Sequence, residues 1–194
     1  MKRIHFDIDT QFDFLAAAGA LAVPGAAALL PRLARLNASA PLVVSTMCAH
    51  TEDDAEFRQW PPHCVLGTLG QRKPAALLVE PRVTLPPDIT PLPDLGGARQ
   101  ILLEKRALDL FTNPNLEALL AALGADEYAV YGVVTEYCVR LAAMGLLRTG
   151  KPVHLVTDAI QTLDREDGER AVAEFHAAGG KLTTAAALLA SVQI

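Results

Sequence analysis

The sequence predicts one α/β domain over residues 1–194: a three-layer α/β/α sandwich around a central, mainly parallel sheet. Three observations predict it. Short β-rich apolar runs alternate with Ala- and Leu-rich helical stretches along the chain, and that alternation favours a parallel sheet with helices on both faces. The chain has 194 residues, 51% of them hydrophobic, which is enough to bury a real core without disulfides. No internal repeat, low-complexity tract or shift in composition marks a second domain.

The elements follow in order. "RIHFDI" is the first strand, and a helix around Ala26–Leu36 opens near Pro24-Gly25. "PLVVSTM" is the second strand and "QILLEK" the third. A helix follows, with Asn113 expected as its N-cap and Pro114 at its first position. "EYAVYGVV" is the fourth strand and leads into a helix from Thr135 to about Thr149. "PVHLVTDA" is the fifth; the next helix begins near Asp164 and stops at Gly179-Gly180. "KLTT" is a short last strand or turn, and a terminal helix runs from near Thr184 to Ser191. The irregular part is the stretch from Cys48 to Asp94, rich in Pro, His and polar residues. So long an insert in a compact domain is usually functional.

Composition excludes some classes. A formal net charge of −5 argues against a nucleic-acid binder, which usually carries a basic face. No uninterrupted apolar run reaches the length of a membrane span, and the N-terminus turns acidic too early for a secretory h-region. Three cysteines without a CxxC pair suggest reduced thiols in a cytoplasmic protein.

Three reactive residues fall at expected strand ends: Asp9, Lys105 and Cys138. In a parallel sheet such ends form the ligand-binding edge. A carboxylate, an ammonium and a thiol gathered there make chemical sense: the ammonium and a helix N-terminus favour thiolate, and the carboxylate moves a proton. Each also has a plain structural reading. Asp9 caps a turn, Lys105 is solvated, or Cys138 fills a small gap in the seam between strand and helix.

Resemblance separates these readings. "DIDTQFDF" resembles the D-x-Q-x-D-F opening of the isochorismatase-like cysteine hydrolases, the superfamily that contains the nicotinamidases. "LLEKRALDLF" is similar to its lysine strand, and "GVVTEYCVRLAAMGLLRTGKPVHLVTDAI" to its nucleophile segment, in the same order. The resemblance implies that Cys138 is the nucleophile, Asp9 the proton carrier and Lys105 the electrostatic support. It further implies a cis peptide between Val133 and Val134, an oxyanion hole from the amides of Val134 and Cys138, and Thr135 as a helix N-cap reaching the backbone near Cys138.

A fourth element, "MCAHTEDDAEFRQWPPHC", is similar to the family's metal and substrate loop. His50, Glu56 and His63 fit its metal slots, while Cys48 stands where the family has Asp. Cysteine is a good zinc ligand, and a mixed Cys/His/Glu set favours zinc over magnesium or calcium. Cys64 is expected to be a packed neighbour, and His5, His154 and His176 to be core or surface residues. The resemblance calls for no organic cofactor. Phe14, Trp60 and Tyr137 are the implied substrate-binding side chains, and "TEYCV" resembles nicotinamidases more than isochorismatases.

The expected activity is therefore hydrolysis of nicotinamide, and of pyrazinamide, to the acid and ammonia through a thioester. The rivals are another small-amide, ureido or carbamoyl hydrolase of the superfamily, an isochorismatase, and a silent binding module. The partner is a small-molecule amide. Family habit implies a homo-oligomer, with which exposed Ala/Leu-rich helices are compatible.

Overall fold

A computed structural model describes residues 1–190; Ser191, the expected end of the last helix, lies outside them. The chain runs β1 (Arg3–Ile8), α1 (Phe12–Leu15), α2 (Leu30–Ser39), β2 (Val43–Cys48), β3 (Arg82–Leu85), β4 (Gln100–Lys105), α3 (Leu116–Leu123), β5 (Glu127–Val133), α4 (Arg140–Leu147), β6 (Val153–Gln161), α5 (Arg165–Ala177), β7 (Lys181–Thr183) and α6 (Ala185–Ala190). The strands form one sheet in the order β3-β4-β2-β1-β5-β6-β7, and every pairing is parallel. Mainly parallel thus becomes wholly parallel among the described residues.

Both faces are covered, so the central strands β1 and β2 bury even their polar residues His5, Asp7, Ser45 and Thr46. All seven residues of β5 are buried. On one face Ile4, Phe6, Val130 and Leu155 pack against Leu119 of α3, Ala143 of α4 and Phe175 of α5. On the other, Tyr131 and Val133 meet Leu33 and Leu36 of α2 and Leu188 of α6. Leu33 and Leu36 are fully buried, and each such leucine contributes roughly 1.5–3 kcal/mol over an exposed one.

Local chemistry explains most boundaries. Gly124 ends α3 in the left-handed conformation at φ 55°, where glycine carries no Cβ penalty. The Asp164 side chain accepts the amide of Asp167 and starts α5. Gly132 is in register with Ile8 at φ 120°, and a Cβ there would collide with the Ile8 backbone. That glycine lets β5 press against β1 just before the chain turns into the site.

Four expectations need correction. Asn113 is not the cap of α3: the cap position is Asn115. The Asn113 side chain instead accepts the Asn115 amide and donates to Pro86 and Glu104 carbonyls, so it ties a loop together. The stretch 48–94 is not wholly irregular, since it holds the edge strand β3 and short 3-10 turns at Ala55–Arg58 and Ala75–Leu77. Helix Ala26–Leu36 is a 3-10 turn over Ala26–Leu29 followed by α2. Finally, a π-type turn over Thr135–Val139 precedes α4. The Thr135 hydroxyl donates to the Gln161 carbonyl at 2.9 Å, bracing β6 instead of capping. Among the described residues no helix is long and apolar enough to cross a membrane.

Candidate active site and metal centre

The carboxyl ends of β1, β2, β4 and β5 meet at one edge. Asp9 follows β1, and Cys48 and Lys105 end β2 and β4 as register partners. Cys138 lies in the turn after β5. The sheet brings Asp9, Lys105 and Cys138 together as expected, each almost fully buried. Lys105 Nζ is 2.8 Å from Asp9 Oδ2, 3.7 Å from Cys138 Sγ and 3.3 Å from Cys48 Sγ, and it donates to the Ala107 carbonyl at 3.0 Å.

Charge in this buried cluster is set by competition. Burial works against ionised Asp9, but the Lys105 ammonium, the Thr46 hydroxyl and the Cys138 thiol outweigh it and hold the carboxyl below its usual range. Lys105 is held well above its usual range: burial disfavours its charge, and Asp9 more than compensates. Burial pushes the Cys138 thiol well up, with Lys105 opposing and Asp9 reinforcing. The resting state is therefore a carboxylate, an ammonium and a neutral thiol.

Around Cys138 the backbone is unusual. The Val133–Val134 peptide is cis, as the resemblance implies. The amides of Tyr137 and Val139 both donate to the Val134 carbonyl, at 3.2 and 3.1 Å. The Cys138 amide, between them, does not share that acceptor.

Beside this cluster lies a cleft of about 360 Å³, its open mouth included, walled by Phe14, Trp60, Leu108, Val134 and Tyr137. Cys138, Cys48, Glu56 and His63 reach it as well. Trp60 stands edge-on to Tyr137 with ring centroids 5.3 Å apart, and Phe14 meets His63 at 5.4 Å. The substrate-binding residues expected from the sequence thus line one cavity.

The expected metal ligands also converge. The donor atoms of Cys48, His50 and His63 all lie within 4.8 Å of one another. Glu56 Oε1 is 3.7 Å from His63 Nε2 and 4.0 Å from His50 Nε2. His50 Nδ1 faces Asp54 Oδ2 at 3.0 Å, and His63 Nδ1 faces the Pro61 carbonyl at 2.9 Å. Both acceptors call for a proton on Nδ1, so in a neutral imidazole the Nε2 lone pair faces the cluster. His50 Nε2 is buried and has no hydrogen-bond partner among the described residues. An orphaned imidazole nitrogen beside a second imidazole, a thiol and a carboxylate fits a zinc-type ion, with Asp54 and Pro61 as the outer groups that orient its ligands. Burial raises the Cys48 thiol to about 12, with Asp9 adding to the rise and Lys105 opposing it. Cys64 is a packed neighbour: it is buried, and its amide donates to Asp13. His5 is buried against Tyr131, His154 pairs with Glu127 and His176 with the Gly180 carbonyl, away from the site.

Several supporting residues escaped the sequence reading. Thr46 bonds Asp9, and Asp54 orients His50. Gln11 grips the backbone of Cys48 on both sides and also the Gln71 carbonyl, tying the insert to β1. Asp7 and Lys73 form a buried ion pair that Thr10, Asn37 and Ser45 complete, fastening the middle of the insert. The available signal was acidic Asp7 inside an apolar strand, which needs a buried partner.

Residues 4–187 match the isochorismatase domain. The chain belongs to the isochorismatase family. It is 27% identical to the nicotinamidase/pyrazinamidase of Mycobacterium tuberculosis over 193 residues, covering 90% of this chain and 95% of that one. It is 34% identical to streptothricin hydrolase of Streptomyces noursei over 161 residues, which is 81% of this chain but spans only about half, 49%, of that protein. Among solved structures, a pyrazinamidase of Pyrococcus horikoshii in complex with zinc superposes with a TM-score of 0.76 at 28% identity, covering 95% of this chain and 99% of that one. Family and relatives make this chain an isochorismatase-family hydrolase.

Proposed function

We propose that the protein is a cysteine-dependent amidohydrolase of nicotinamidase type, converting a flat, uncharged amide such as nicotinamide or pyrazinamide to its acid and ammonia. The observation that carries this reading is the buried Asp9–Lys105–Cys138 cluster opening into a cleft walled by Trp60, Phe14 and Tyr137. Lys105, the cation nearest to the nucleophile, is already paired with Asp9. This favours a neutral ring over a ureido acid, whose carboxylate would need a partner of its own.

The steps follow from the resting charges. Asp9 takes the Cys138 proton as the sulfur attacks the amide carbonyl, and Lys105 balances the charge on both. The Val134 and Cys138 amides hold the tetrahedral oxyanion; such a donor contributes about 2.7–4 kcal/mol in a protease precedent. Asp9 gives its proton to the departing nitrogen, ammonia leaves, and a thioester joins the acyl group to Cys138. Asp9 then draws a proton from water, which attacks the thioester, and the acid and free thiol are released. His50, His63, Glu56 and Cys48 would hold a divalent metal, most suitably zinc, which when bound offers the ring nitrogen a Lewis-acidic anchor.

The match to streptothricin hydrolase and the cysteine at position 48 support a second reading, a related hydrolase of another small amide. Ammonia release from nicotinamide, pyrazinamide and ureido compounds separates the two. Cys138→Ala should abolish turnover while the circular dichroism spectrum stays that of the wild type. Substantial hydrolysis by that variant would refute the nucleophile.

A further inference from the structure

The two carboxylate oxygens of Asp9 have different surroundings. Oδ1 accepts the Thr46 hydroxyl at 2.6 Å. The same hydroxyl oxygen accepts the Asp9 amide at 3.1 Å. Thr46 thus closes a two-bond ring on one residue. The hydroxyl has a single proton and the amide occupies a lone pair, so that proton is directed at Oδ1. Asp9 needs such bracing, because its backbone sits at φ 48°, a region that residues with a side chain seldom occupy.

Oδ2 differs. It is buried and has no aligned hydrogen bond among the described residues, with Lys105 Nζ 2.8 Å away as its ion partner. The same Lys105 ammonium also reaches the Ala107 carbonyl and the sulfurs of Cys48 and Cys138. That one ammonium contacts both Oδ2 and the Cys138 sulfur, at 2.8 and 3.7 Å, so the thiol lies on the Oδ2 side of the carboxylate. Threonine suits the bracing position: its branched side chain is stiff at χ1 and favoured in the strand it belongs to.

We propose that Thr46 is a positioning residue that commits Asp9 Oδ1 to a fixed hydrogen bond and leaves Oδ2 as the atom that exchanges the Cys138 proton. This rests on Asp9 being the proton carrier of the hydrolysis described above. Thr46 touches no substrate and acts only through Asp9.

The test compares Thr46→Val, which keeps the shape and removes the hydroxyl, with Thr46→Ser, which keeps the hydroxyl. In nicotinamide hydrolysis, Thr46→Val should lose about 10- to 100-fold in kcat with KM within about twofold, while Thr46→Ser stays within about threefold of wild type. A second measurement needs no substrate: the rate at which iodoacetamide alkylates Cys138, read by peptide mass spectrometry. It should fall in Thr46→Val and return in Thr46→Ser. If the valine variant does not fold, Thr46→Ala carries the same expected loss. Wild-type kcat or wild-type alkylation in a folded variant lacking the hydroxyl overturns the assignment, as does a loss that serine fails to restore. If the wild-type protein turns over none of the amides, the proposed substrate class fails, and the alkylation rates still decide the role of Thr46.

Discussion

Replacing Lys105 with Met should reverse the sign of one proton's contribution to stability. In the wild type, Asp9 is held below its usual range by a buried partner 2.8 Å away. Its contribution is present above the unfolded carboxylate value of about 3.9 and is lost as pH falls through the lower folded value. Without the ammonium, burial dominates and raises Asp9, so the folded variant takes up a proton at neutral pH. Protonating a group of intrinsic value about 3.9 at pH 7 costs about 1.36 × 3.1, or about 4 kcal/mol, which caps the penalty of leaving Asp9 without its partner. That cap falls within the roughly 3–5 kcal/mol found when one partner of a buried pair is removed. At pH 5 the same arithmetic leaves about 1.5 kcal/mol, so Lys105→Met should recover about 2.7 kcal/mol relative to wild type between pH 7 and 5. Urea denaturation of wild type, Lys105→Met, Asp9→Asn and the double variant at both pH values measures this. The double variant should be less destabilised than the sum of the singles. Additive losses, or a Lys105→Met deficit equal at pH 7 and 5, would refute the reading of Asp9 and Lys105 as a mutually dependent charge pair.

Three further outcomes test other parts of the molecule. His50→Ala should lose bound metal and weaken nicotinamide binding, by metal analysis and titration calorimetry; unchanged metal content would remove His50 from the ligand set. Asp54→Ala should keep the site but lower metal affinity about 10- to 100-fold in a chelator competition, because Asp54 fixes the His50 ring without binding the ion. Gly132→Ala forces a Cβ into the Ile8 backbone at a positive φ and should cost about 3 kcal/mol or more by thermal unfolding. A loss below about 1 kcal/mol would contradict the close approach of β5 to β1.

What the sequence made legible depended on whether a signal was local. The five longer strands were readable because each carries three or more apolar residues in a short stretch. β3 escaped notice because it has four residues, two of them exposed, at the sheet edge inside a Pro-rich insert. Asn113 carried a convincing cap signal, yet its amide is drawn to carbonyls of Pro86 and Glu104, and such tertiary competition has no trace in the pattern. Thr135 failed for the same reason, its hydroxyl going to Gln161 on β6. In the site, the ends of three apolar runs singled out Asp9, Lys105 and Cys138, and motif resemblance joined them. Thr46 and Asp54 gave no such signal, because a threonine in a strand and an aspartate in a loop are ordinary until their partners are known.

Trp60 is the only tryptophan of the chain, and it stands on the wall of the cleft beside Tyr137, one residue from the nucleophile. The red-edge fluorescence of the whole protein therefore originates at a single place. Any molecule that stacks in the cleft must alter the emission of that indole, by quenching it or by displacing the water at its face. The protein thus has a built-in optical reporter, and occupancy can be followed in real time on the unlabelled, unmutated chain, even with a compound that is bound but never cleaved.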